Sequence, residues 1–275
     1  MGLFVFIVCF LVFVGWEIPG FAQKSTLDSN TSRPWLFGER GYFSGPISTD
    51  RPSFSLGPGT IPRGRLQFET GYTFSFEDAH PNVKTHTFPE TLIRLGLTDI
   101  AELRVEWPIL TFIDNGTSVH GLRDLGLGFK IQAFQQHGLT PRVSFAGRLS
   151  IPTGDKDFSS DRVDPEWRTI LTYALNEWMG LFGNVNIGAP TSQGTRFVQV
   201  SSSLGLSGSL WHRLTGFVEY FGLYPREAAG ESGHFLQTGV LYLLSHNVQL
   251  DARVGGGLTR GTDDLFTGAG ISWRF

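Results

Sequence analysis

The residues with chemistry to offer are charged side chains spaced two apart. Glu102, Arg104 and Glu106 alternate with Ala101, Leu103 and Val105, and Arg65, Gln67 and Glu69 alternate with Leu66 and Phe68. The same polar parity holds Glu90, Arg94, Lys130, Arg142, Arg148, Arg168, Glu219, Asp251, Arg253 and Arg274. A spacing of two puts such groups on one face of a β-strand. Facing one another across a narrow lumen, opposite charges can simply neutralise and fill it. Alternatively, part of the ladder lines a path and sets which solutes pass, as charge rings do in channels. Across the tight turn 98–100, Arg94 is expected opposite Arg104 and diagonal to Glu102 and Glu106, within reach of long side chains.

Other chemistries fare worse. Nucleophilic catalysis needs a base within hydrogen-bond reach of the nucleophile. His80, His86, His120, His137, His212, His234 and His246 fall mostly in loops or near strand ends, and none sits in a serine-enzyme motif. The expectation is therefore no enzyme. Asp155-Lys156-Asp157, with Asp161 and Asp164, offers carboxylates to a divalent cation. It lacks the Gly and bidentate Glu of an EF-hand loop, so a solvated loop is expected, with no metal and no cofactor. Gly255-Gly256-Gly257 lacks the strand-to-helix context of a phosphate loop, and Asn115-Gly116 reads as a turn.

The elements that position the charges are alternating segments. In residues 65–76 one parity holds Leu66, Phe68, Tyr72, Phe74 and Phe76, the other Arg65, Gln67, Glu69, Thr73 and Ser75. The split recurs in twelve segments, near 64–76, 86–97, 101–111, 122–133, 141–151, 166–175, 178–187, 197–207, 213–223, 234–244, 248–256 and 264–275. Many match the ~9–11 residues a tilted strand needs to cross a bilayer. Short turns (98–100, 176–177, 245–247, with longer ones near 134–140 and 208–212) alternate with polar loops at 77–85, 112–121, 152–165, 188–196, 224–233 and 257–263. Outer-membrane barrels show that asymmetry. The expected fold is all-β: a transmembrane antiparallel up-and-down β-barrel of about twelve strands, with ten or fourteen also open.

The last segment puts Ile271, Trp273 and Phe275 on its apolar parity. This resembles the C-terminal signal read by the barrel-insertion machinery of Gram-negative-type envelopes. Export is expected as well. An apolar run from Leu3 to Trp16 precedes Pro19, Gly20, Phe21 and Ala22, the layout of a signal peptide cut after residue 22. A single membrane helix is the rival, but Glu17 and Pro19 interrupt the run. Loss of the leader removes Cys9, the one cysteine, and Glu17, leaving 24 acidic residues (25 − 1) against 22 basic ones. Thiolate chemistry is then excluded, and a near-balanced charge argues against a nucleic-acid partner.

A more specific signature begins at Thr49-Asp50-Arg51-Pro52 and continues through Ile61-Pro62-Arg63-Gly64 and Gln67-Phe68-Glu69-Thr70-Gly71-Tyr72. Leu92-Ile93-Arg94-Leu95-Gly96-Leu97-Thr98-Asp99, Glu102-Leu103-Arg104, Ile151-Pro152-Thr153-Gly154-Asp155 and Phe217-Val218-Glu219-Tyr220 follow. From about Thr49 to Phe275 the chain is similar to the outer-membrane transporters grouped under the MetA-pathway of phenol degradation. The resemblance implies a barrel and passage of small aromatic or apolar compounds.

Residues 23–63 carry no long alternation. They are expected to form an N-terminal periplasmic segment, with 23–45 a flexible tail and 46–63 entering the lumen as a plug. There Asp50 and Arg51 are expected to pair with wall residues such as Arg94 and Glu69. Pro89 and Pro108 are expected almost opposite each other near the extracellular ends of their strands, where they either weaken pairing enough for a sideways exit or are a harmless irregularity. The sequence thus points to a monomeric barrel in outer-membrane lipid, both mature termini periplasmic, passing small molecules passively. The competing reading is an anchoring barrel with a plugged lumen.

Overall fold

The structure, a computed structural model, describes residues 45–226 and 230–275; the expected signal segment and residues 23–44 lie outside the described residues. In chain order the strands are β1 (Leu66–Glu77), β2 (Val83–Phe88), β3 (Leu92–Gly96), β4 (Ala101–Glu106), β5 (Leu110–Asp114), β6 (Ser118–Leu122), β7 (Leu125–Phe134), β8 (Arg142–Ile151) and β9 (Asp164–Ala174). There follow β10 (Met179–Gly188), the small hairpin β11 (Thr191–Ser192) and β12 (Thr195–Arg196), then β13 (Gln199–Trp211), β14 (Leu214–Pro225), β15 (Gly233–Ser245), β16 (Val248–Gly257) and β17 (Leu265–Arg274).

The pairs β2–β3, β4–β5 and β6–β7 are halves of single wall strands, so the wall is a twelve-stranded antiparallel ring. It closes where β17 pairs with β1, from Gln67↔Arg274 to Phe76↔Leu265. Closure removes the unpaired edges an open sheet would expose.

The alternation sets the two faces. One cross-strand row runs Leu103↔Phe129↔Gly147↔Trp167↔Ile187, all on the outside. Large apolar side chains such as Leu103, Trp167, Ile187 and Leu204 are exposed there, as a lipid-facing belt requires. The opposite parity is inside and largely buried: Gln67, Glu69, Arg94, Glu102, Lys130, Asn184 and Glu219. Ile47 and Ile61, from the segment before β1, are buried with them.

Two expectations about connections need correcting. The expected loop 77–85 is shorter, at 78–82, and most of 112–121 is strand, because Val83, Thr85 and Thr87, then Ile113 and Val119, continue the alternation through interspersed polar residues. The second hairpin turns at Asn115-Gly116, where Gly116 has φ 90°. Pro89 and Pro108 lie at mid-strand rather than near an end. Pairing stops at Phe88↔Leu110 and resumes at Leu92↔Glu106 in the same register. In the gap the Trp107 amide donates to the Thr91 carbonyl at 2.9 Å, and the Glu90 amide to Gly71 at 2.8 Å. Proline has no amide to give the ladder, which accounts for the interruption.

Candidate functional site in the lumen

Residues 46–62 run through the inside of the ring, and the inward charges grip them mainly by the main chain. Wall carboxylates accept backbone amides. Glu69 Oε2 takes the Asp50 amide at 2.8 Å and the Arg51 amide at 3.2 Å. Glu219 takes Phe54 and Ser55 amides at 2.9 Å each, and the Ser55 hydroxyl at 2.5 Å. Glu102 takes the Ile61 amide at 2.7 Å. Wall cations donate to carbonyls: Arg94 to Ser48 and Gly59, Lys130 to Gly57 and Gly59, and Arg253 to Pro52. Charge-assisted bonds of this kind are roughly twice as strong as neutral ones.

Asp50 is the side-chain anchor. Its carboxylate lies 2.8 Å from Lys130 Nζ, 2.5 Å from Arg104 Nη1 and 3.7 Å from Arg94 Nη1, and it accepts the Gly57 amide. Burial raises this carboxyl's pKa, but the charges of Arg94, Lys130 and Arg104 outweigh burial and hold it well below the ordinary value. The cluster balances three carboxylates (Asp50, Glu69, Glu102) against three cations, and unpaired buried charge is what such balance avoids.

The sequence-derived residues fall into groups. Asp50, Glu69, Arg94, Glu102 and Arg104 form one network, with Arg94 bridging Glu69 at 2.7 Å and Glu102 at 2.9 Å. Arg51 differs from expectation: its guanidinium reaches Glu90 at 2.7 Å and Asp251 at 3.5 Å, not Glu69. Glu69 is already engaged by Arg94 and Gln67, leaving only its amide contact to Arg51. Glu106 pairs with Arg148 at 2.5 Å, to one side and half-exposed, rather than with Arg94. Glu219 and Arg253 hold residues 52–55 from the far wall. Arg65 precedes β1, its amide on the Pro62 carbonyl. Ile271, Trp273 and Phe275 face outward, with Phe68 stacked on Trp273 at 5.5 Å and edge-on to Phe275 at 6.0 Å.

Sequence reasoning missed an inward aromatic group. Phe221 on β14, Phe235 on β15 and Phe266 on β17 share the polar parity yet carry rings. Phe221 stacks on Phe235 at 4.7 Å and on Phe54 of the inner segment at 4.4 Å. Phe266 standing among Gly268, Gly270 and Ser272, and Phe221 two residues from Glu219, were the available signals.

One cavity borders the inner segment, and a second borders Phe221 and Arg253, wall residues that contact it. At the short-turn end, one of 650 Å³ is lined by Ile47, Thr49, Arg142, Thr172, Phe182 and Gln249, among others. At the long-loop end, one of 230 Å³ is lined by Thr73, Thr87, Phe221, Phe235, Arg253 and Phe266, among others. Residues 51–55, held by Glu90, Glu219 and Arg253, lie between them.

The sequence profile of the family described as "Putative MetA-pathway of phenol degradation" matches residues 49–275. No curated protein matches the chain. Among solved structures, an outer membrane channel from Pseudomonas putida F1 aligns with TM-score 0.62 and 14% identity, over 82% of this chain and 100% of that one. The NanC porin aligns with TM-score 0.52 and 8% identity, over 76% of this chain and 98% of the other. At these identities the likeness is one of fold, that of outer-membrane barrels.

Proposed function

The chain belongs to the MetA-pathway of phenol degradation family, and from that premise we propose that it is an outer-membrane barrel through which small aromatic or apolar molecules pass without an energy source. The observation that carries the reading is the pair of cavities, one of 650 Å³ along the docked segment and one of 230 Å³ behind the wall residues Phe221 and Arg253 that contact it. A barrel that only anchors has no need of hollows flanking its plug. The aromatic wall of the smaller cavity favours rings, which pack well against Phe faces.

Residues 46–63 act in this reading as the plug, with Asp50, Arg51 and the wall charges around them as its clamp. The long-loop end faces outward and the short turns face the periplasm, so an even strand number returns both mature termini there. Export uses residues 1–22, and Ile271, Trp273 and Phe275 supply the assembly signal to the insertion machinery. The barrel works as a monomer in outer-membrane lipid and does no catalysis.

Planar-bilayer conductance, followed by proteoliposome uptake of phenolic and alkane solutes, tests the proposal. Current together with faster uptake of the phenolic solutes supports it. Neither current nor uptake leaves the anchoring reading in its place.

A further inference from the structure

Charged side chains around the two cavities are unevenly distributed. Among the described residues, the larger cavity is bordered by Arg51 and Arg142 and by no carboxylate. The smaller has Arg253 and, among the described residues, one acid, Asp263, which lies between β16 and β17. The other carboxylates nearby are turned onto the plug or its clamp. Glu219 accepts plug amides, Glu90 and Asp251 face Arg51, and none of the three borders either cavity. Among the described residues, Arg142 on one side of the plug and Arg253 on the other are the lining cations with no carboxylate ion pair, whereas Arg51 is held by Glu90 and Asp251.

The smaller cavity combines that cation with rings. Arg253 lies over the Phe266 ring, 5.6 Å from its centroid, and Phe235 stacks on Phe221 beside it. Two of its guanidinium nitrogens are taken, Nη1 by the Pro52 carbonyl and Nη2 by Thr73 Oγ1, both at 3.0 Å. Its Nε is buried without a hydrogen-bond partner. Thr85 and Thr87 add hydroxyls to the same wall. A space of 230 Å³ lies below the ~300–1,000 Å³ range of drug-sized pockets, which suits one substituted ring.

Resting on the passage reading, we infer that the solute is a small aromatic anion: one ring bearing a carboxylate, with the ring on Phe235 and Phe266 and the carboxylate directed at Arg253 in one cavity and at Arg142 in the other. A neutral ring would gain the stacking and leave the arginines unanswered. An aliphatic anion would gain the charge and lose the stacking. Arginine linings are the device by which pores favour anions.

The test is ion selectivity of the whole processed chain in planar bilayers, with sodium benzoate, sodium cyclohexanecarboxylate and sodium chloride as salts. The reversal potential under a benzoate gradient is expected to carry the sign of anion flow. Arg142→Gln and Arg253→Gln are each expected to shift it toward zero. Phe235→Leu is expected to lower the ratio of benzoate to chloride current. A potential of cationic sign, or benzoate current no larger than that of cyclohexanecarboxylate, overturns the inference while leaving a channel. Absence of current in every salt removes the passage reading instead, a result distinct from current of the wrong sign.

Discussion

Replacing Asp50 tests how the inner segment is held. Asp50→Ala strips Lys130 and Arg104 of a carboxylate at 2.8 Å and 2.5 Å, and both cations are then buried with Glu102 as their shared counter-charge. Removing one partner of a buried ion pair costs about 3–5 kcal/mol, chiefly through the charge left behind. At 1.4 kcal/mol per decade, the ratio of docked to undocked plug should fall by roughly two to four orders of magnitude. The double variant Asp50→Ala, Lys130→Met removes the orphaned ammonium as well and should recover part of the loss, a coupling of about 0.5–3 kcal/mol. Urea unfolding in detergent micelles gives the stability. Thiol labelling of Ser55→Cys in a chain begun at Gln23 reports undocking, since Ser55 is buried when docked and Cys9 is the sequence's one cysteine. An Asp50→Ala protein within about 0.5 kcal/mol of the parent, with unchanged labelling, would refute the reasoning.

Further outcomes follow from the same contacts. Because the Asp50 carboxyl is held low, its stabilisation is complete above the unfolded value of about 3.9 and is lost only as pH falls through the lower folded value. Conductance should therefore stay flat from neutral pH to about pH 4 and change below it; a change complete by about pH 5 contradicts this. A Cβ added at Gly96 would fall on the carbonyl oxygens of Ile61 and Pro62, so Gly96→Ala should cost about 1–3 kcal/mol and loosen the turn into β1, read by thermal unfolding. Phe275→Ala removes the outward ring beside Phe68 and the final residue of the proposed assembly signal. It should lower the fraction of heat-modifiable, folded barrel in membranes more than it lowers the stability of barrel already folded. Equal losses in both would assign Phe275 to packing alone.

How far the fold was legible follows from which interactions depend on side-chain pattern. Alternation in 65–76, 101–109, 141–151 and 264–275 places each strand and its faces, because a one-residue slip would turn charges to lipid. Glu102, Arg104 and Arg94 were therefore identifiable as an inward cluster. Where the plug docks was less visible. Glu69 and Glu219 bind the amides of residues 50–51 and 54–55, and since every residue but proline carries an amide, the order of those residues says little about their partners. Lys130 stood out only as one more inward cation, yet it meets Asp50, Gly57 and Gly59 together. Phe221, Phe235 and Phe266 were hidden by parity itself: rings on the polar face of three strands read as noise until registry brings two of them onto each other. The breaks at 89–91 and 107–109 were signalled by Pro89 and Pro108, but their depth depends on how far β2 and β5 extend.

The most direct test of the account is single-channel conductance of the processed chain beside Asp50→Ala in the same bilayer. Passage around a clamped plug predicts discrete current steps in the parent protein and larger or longer ones in the variant. Silence from both, with the barrel shown to be folded, would contradict it and leave a structural barrel whose lumen is closed.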